Sequence, residues 1–167
     1  MREILFRGKR KDNGERVDGY YCVFNGVSHR IYTGYAETDC GEYYPDCYEV
    51  IPETVGQYTE LTDKNGKKIF EGDVVQYLTY DDFDCQSIVK FGVYKQDGSD
   101  GEYKASNCLG FYVEIDNFTC PDWCGNEPEM FHDYLKQQSL VEIASQCEVI
   151  GNIYDNPELI KEHPNDR

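Results

Sequence analysis

Residues 48–77 read YEVIPETVGQYTELTDKNGKKIFEGDVVQY, and their reading decides the fold. Tyr48-Glu49-Val50-Ile51 has strand character, which Pro52 ends by removing a ladder donor. After a connector over residues 52–56 the pattern changes. Tyr58 and Leu61 lead to the turn Asp63-Lys64-Asn65-Gly66. Ile69-Phe70 follows, then a second turn at Glu71-Gly72-Asp73, and then Val74-Val75-Gln76-Tyr77-Leu78. Two turns thus bracket three short strands, as in a small barrel. Gly72 supplies a backbone conformation that other residues avoid, after which Val74, Val75, Tyr77 and Leu78 can enter a core wall.

On the C-terminal side the period-2 signal continues. Ile88-Val89-Lys90-Phe91-Gly92-Val93-Tyr94 and Leu109-Gly110-Phe111-Tyr112-Val113-Glu114-Ile115 read as two strands, with residues 97–102 as an exposed hairpin tip. Cys147-Glu148-Val149-Ile150-Gly151-Asn152-Ile153-Tyr154 reads as the closing strand, so about five short strands in some 100 residues predict a compact barrel. Helix signals are few. Pro128 at a first turn and the stripe Met130, Phe131, Tyr134 and Leu135 predict one inserted helix over residues 127–138. Asn156-Pro157-Glu158-Leu159-Ile160 predicts a short C-terminal helix.

On the N-terminal side Ile4-Leu5-Phe6 reads as a first strand, Lys11-Asp12-Asn13-Gly14 as a turn, and residues 17–24 as the returning strand. Residues 30–35 read as another strand, and the cysteine-bearing segment 36–47, with Gly41 and Pro45, as a loop. The expected organisation is mainly β: an N-terminal β-hairpin subdomain over residues 1–56, a small barrel over 57–160, and a tail over 161–167.

Composition bounds the function. At 167 residues with 40% apolar content the chain can bury a core without staples. Its 16 basic and 32 acidic residues give a net charge of -16, which repels a polyanion unless basic groups are segregated. They are: six basic and three acidic residues leave the first 16 at +3 and the remainder at -19. These complementary parts could pair between subunits, in which case salt would dissociate the oligomer.

Eight cysteines are compatible with a disulfide framework. The start MREILFRGKR, however, has no apolar stretch of signal-peptide length, and no run approaches the roughly 18 to 20 apolar residues of a membrane span. The expected compartment is the cytoplasm, with reduced thiols and no membrane partner.

Sites of chemistry are sparse. Cys120, Cys124 and His132, with Cys108 upstream, form the best zinc candidate, but a second cysteine pair is missing and no metal is assigned. Asp81-Asp82-Phe83-Asp84 and Asp63-Lys64-Asn65-Gly66 have the clustered oxygens a calcium loop needs, yet neither completes the pattern, so both read as ordinary turns. A Cys paired with His29 or His132 would be needed for nucleophilic catalysis, and His163 lies in the tail. No phosphate-binding glycine loop occurs. No catalytic, cofactor-binding or metal residue is therefore assigned, and the chain reads as a non-enzyme.

Four segments carry a family resemblance: Arg2-Glu3-Ile4-Leu5-Phe6-Arg7; Val55-Gly56-Gln57-Tyr58-Thr59 with Leu61-Thr62-Asp63-Lys64-Asn65-Gly66-Lys67; Ile69-Phe70-Glu71-Gly72-Asp73-Val74-Val75; and residues 148–159, EVIGNIYDNPEL. In them the chain resembles the YopX family of phage and prophage proteins. The resemblance implies a β-rich protein with an SH3-like barrel, homo-oligomeric, in a bacterial host cell, and it carries over no activity and no catalytic residues. Departures lie in the cysteine-rich segment 36–47, in the insertion 117–139, and at Phe6-Arg7-Gly8-Lys9, where relatives often place an aromatic soon after the arginine. Loop insertions are where binding specificity tends to sit.

The function expected is that of a non-enzymatic accessory protein of a phage or prophage, acting by self-association or by binding a host or phage protein, with tyrosines as contacts. The alternative is a nucleic-acid-related role. It would be either weak binding through the SH3-like barrel, with Phe6 and the basic residues 2–11 on a backbone, or mimicry of DNA by surface carboxylates toward a host DNA-binding protein.

Overall fold

A computed structural model of the chain describes residues 3–78, 84–96, 104–119 and 137–160, with the main chain alone over 116–119. The chain divides into two compact units, Met1–Glu60 and Leu61–Arg167. Both are built from antiparallel β-sheet.

In the first unit β1 (Phe6–Lys9), β2 (Arg16–Phe24), β3 (Ser28–Glu37), β4 (Tyr43–Glu49) and β5 (Gly56–Thr62), which runs on past Glu60, lie in the order β4-β3-β2-β1-β5. The turn between β1 and β2 works as its sequence requires: Gly14 takes a φ of 75°, and Asn13 Oδ1 accepts the Glu15 N–H at 3.0 Å. A bridge between Arg10 and Val50 brings the end of β1 against the chain just past β4, so the sheet curls around Ile31 and Val50, both fully buried. Pro52 ends strand character as expected and opens a single 3₁₀ turn, Pro52–Thr54.

Two expectations are corrected in this unit. The first strand begins at Phe6 rather than Ile4. The segment 36–47 is a loop only over residues 38–42, because β3 extends to Glu37 and β4 starts at Tyr43, pairing Glu37 with Tyr43 and Tyr35 with Pro45. Pro45 is tolerated because β4 lies at the sheet edge, where a missing donor breaks no ladder.

In the second unit β6 (Lys68–Phe70) follows the turn at Asp63, and β7 (Asp73–Leu78), β8 (Asp84–Gln96), β9 (Ser106–Thr119), β10 (Gln137–Ser139) and β11 (Glu148–Asn152) form a sheet in the order β10-β9-β8-β7-β11. Val75, Val89, Val113, Leu140, Ile143 and Cys147 centre its core. The sheet is open: β10 and β11 are its two margins, and among the described residues there is no closed SH3-like barrel. Strand lengths also differ from the expectation. Strands β8 and β9 are 13 and 14 residues long, and they pair with each other along their whole length. The expected five short strands are thus replaced by a sheet with two long central strands.

The expected helix over 127–138 falls mostly outside the described residues, as does the expected tip over 97–102, and Gln137 and Gln138 are strand. A one-turn helix, α1 (Leu140–Ile143), stands where no helix was expected, and it places Leu140 and Ile143 in the core. The expected C-terminal helix is a single 3₁₀ turn, Pro157–Leu159. Asn156 does not cap it through its side chain, because Asn156 Oδ1 faces back to the Asn152 N–H at 3.4 Å.

Candidate functional site

Three sequence motifs converge on buried carboxylates that hold the second unit together. Asp63 Oδ1 accepts the N–H groups of Asn65 and Lys67 at 2.8 and 2.9 Å, and its Oδ2 accepts the Val149 N–H at 3.0 Å. The turn is thereby clamped to β11, and the Lys64 N–H to Cys147 carbonyl bond at 3.0 Å reinforces it. Burial pushes the Asp63 carboxyl up, but the three backbone donors outweigh burial and hold it below the usual aspartate value. The oxygens that suggested calcium are thus spent on backbone.

Asp73 does similar work for the Glu71-Gly72-Asp73 motif. Its Oδ2 accepts the Phe70 N–H at 2.9 Å and its Oδ1 accepts Asn152 Nδ2 at 3.0 Å, in a site where both residues are buried. Asn152 Oδ1 in turn accepts the Tyr154 N–H at 3.0 Å. Gly72, at φ 83°, donates to the Val89 carbonyl and accepts from Ile153. Gly151 allows close approach, since a Cβ there would stand 2.5 Å from Leu159 Cδ1 and 2.7 Å from Asn156 Oδ1 unless those side-chain ends shifted.

Other sequence candidates disperse. Asp84 opens β8 and accepts Gln76 Nε2 at 3.0 Å, whereas residues 81–83 lie outside the described residues. Cys108 sits in β9 opposite Tyr94, while Cys120, Cys124, His132 and His163 lie outside the described residues. His29 Nδ1 meets the Tyr21 hydroxyl, with the two rings stacked. Cys85 and Cys147 are buried, and burial pushes their thiols up to about 12 and about 11. That is the reverse of an activated nucleophile.

Among the described residues two exposed faces remain. The first is the distal half of the β8–β9 ribbon. Register places Val89 opposite Val113, Phe91 opposite Phe111, and Val93 opposite Leu109, all on one face. The Val89–Val113 rung is fully buried, Phe91 stacks edge-on with Phe111 at 5.0 Å, and the next rung is open, Val93 being 65% and Leu109 72% exposed. The core face therefore runs on beyond the core. Between Phe91 and Gln96, and between Ser106 and Phe111, neither strand has an acidic residue, in a chain that has 32.

The second is the outer face of the β1–β4 sheet. Register puts Arg7, Lys9, Arg16 and Asp18 on it beside Tyr20, Cys22 and Phe24 of β2, Arg30, Tyr32 and Tyr35 of β3, and Tyr43 and Cys47 of β4. Tyr20 and Tyr32 are direct cross-strand partners near its middle. Phe6, by contrast, belongs to the inner face, where its ring lies 5.4 Å from that of Tyr21, so it is not placed beside the basic residues as the sequence reading had it. The alternation of apolar residues along 89–93 and 109–113 could have revealed the first face, but not where the core stops covering it.

A family model described as YopX protein matches residues 5–161. Among solved structures, protein EF1440 from Enterococcus faecalis is similar at 20% identity, covering 95% of this chain and 99% of that one with a TM-score of 0.46. No curated protein matches the chain.

Proposed function

This chain belongs to the YopX family, and we propose that it serves a phage or prophage as a non-enzymatic accessory protein that acts by self-association through the distal β8–β9 ribbon. The observation that carries the reading is the Val93–Leu109 rung, a cross-strand apolar pair left open on the continuation of a core face. Apolar rungs of this kind gain free energy only when covered. Burying a Val, Leu or Phe side chain contributes about 1.5 to 3 kcal/mol. Phe91, Val93 and Leu109 from each of two copies thus supply on the order of 10 kcal/mol, comparable with the rigid-body cost of association. A reversible, concentration-dependent assembly follows.

Charge selects the same place. Two copies that each carry -16 repel, so their contact must avoid carboxylates, and this strip holds none. The sign of the salt effect separates this reading from pairing of the basic start with the acidic remainder. Salt screens repulsion and strengthens apolar burial, so self-association through the ribbon rises with salt. Light scattering over a concentration series at low and high salt tests it. Association that grows with both supports the reading, and dissociation by salt refutes it.

A further inference from the structure

We propose that the outer face of the β1–β4 sheet binds single-stranded DNA, with bases stacked on Tyr20 and Tyr32 and the backbone held by the arginines and lysines around them. The argument starts from segregation. Arg7, Lys9, Arg16 and Arg30 lie on this face by register, and Lys11 joins them through its contact with Glu49 at 2.6 Å. Opposed to these five basic groups on the face are Asp18, Glu37 and Glu49. A chain with twice as many acidic as basic residues has reversed its balance here.

Placement matters as much as number. Tyr20 is 62% exposed and stands directly across from Tyr32. Along β2 it follows Arg16 and Asp18, and along β3 Tyr32 follows Arg30, so cations flank the aromatic pair on both sides. Arg7 pairs with Asp18 at 2.8 Å and Lys11 with Glu49, and such surface pairs exchange a carboxylate for a phosphate at little cost. Aromatic rings flanked by cations on a sheet face are the arrangement that holds unpaired bases, because every base has a π-face to offer. A duplex hides those faces. The rings, arginines and lysines of this face address base faces and phosphates, which an oligo-dT strand presents, and comparison with oligo-U tests the contribution of the sugar. At physiological salt the Debye length is about 8 Å, so the local cations act on a bound strand while the distant carboxylates are screened.

The test is fluorescence anisotropy of the full chain with labelled oligo-dT, oligo-U and a random duplex. The expected result is binding to oligo-dT that falls with salt with a log–log slope of about -2, as about three phosphate contacts on a single strand give. Tyr20→Ala weakens it by roughly tenfold, the size of one lost stack, whereas Tyr20→Phe keeps it. Arg16→Glu with Arg30→Glu abolishes it. Leu109→Asp leaves it unchanged, so the outcome is independent of self-association. Absence of oligo-dT binding at low salt overturns the proposal, as does equal binding of the duplex, a preference for oligo-U, or indifference to Tyr20→Ala in a variant whose melting temperature is unchanged.

Discussion

Asp73 and Asn152 meet in the interior of the second unit, the Asn152 carboxamide donating to the Asp73 carboxylate at 3.0 Å. The two residues are 79 positions apart, and their bond ties the turn before β7 to the end of β11. A buried carboxylate that loses its partner costs more than the bond is worth, because its desolvation is then uncompensated. Asp73→Ala removes the carboxylate to which the Phe70 N–H and the Asn152 amide donate. It is expected to lower stability by about 2 to 4 kcal/mol, read as a shift in urea midpoint at unchanged slope. Asp73→Asn, which keeps one acceptor, should cost less.

Asp63 makes stability depend on acid. Its folded pKa lies below the ordinary value of 3.8, despite burial, because Val149, Lys67 and Asn65 donate to the charged form. A depressed carboxylate stabilises the fold at pH above the unfolded value, and that stabilisation is lost as pH falls through the folded value. The stability difference between wild type and Asp63→Asn should therefore be constant from neutral pH down to about 4 and shrink below it. Urea titrations at a series of pH values check this, and a difference that grows on acidification would contradict it.

Gly151 and Gly72 fail for different reasons. At Gly151 the added methyl meets the side-chain ends of Leu159 and Asn156, which must shift, so Gly151→Ala should destabilise by about 1 kcal/mol or less. At Gly72 the φ of 83° is the cost, about 1 to 2 kcal/mol for alanine. Thermal melts of the two variants measure both, and the double variant shows whether the shared β11 neighbourhood makes them non-additive.

Thiol reactivity should follow burial. Cys40 is exposed and should react with a maleimide in the native state, whereas Cys85 and Cys147, buried and with thiols pushed up to about 12 and about 11, should react only when the protein unfolds. Peptide mapping after timed labelling checks the order.

Much of the fold was legible. Turns announced themselves wherever a residue type has one job, as at Asn13-Gly14, Pro52 and Gly72, and the alternation from Val89 to Val93 marked a strand. Local signals failed where tertiary pairing decided. The segment 36–47 looked like a loop because of Gly41 and Pro45, yet an edge position absorbs Pro45 and cross-strand pairing recruits Tyr43 and Tyr44. The extent of the β8–β9 pairing was not legible either, because no single strand reveals how far it pairs. The candidate faces were less legible still. Tyrosines were expected as contacts, but which ones stand outside depends on register, which put Tyr20 out and turned Phe6 toward Tyr21. Asp63 was legible as part of an ordinary turn, but not that a backbone donor 86 residues away would fill its second oxygen.

Sedimentation velocity of the wild type and Leu109→Asp over a wide concentration range tests the account most directly. A charge on the open rung removes the apolar contact without touching the core, since Leu109 is exposed. The wild type should move from the 19.4 kDa monomer toward an assembly as concentration rises, and Leu109→Asp should remain monomeric throughout with the same melting temperature. A wild type that is monomeric at every concentration, or a variant that assembles equally well, would contradict it.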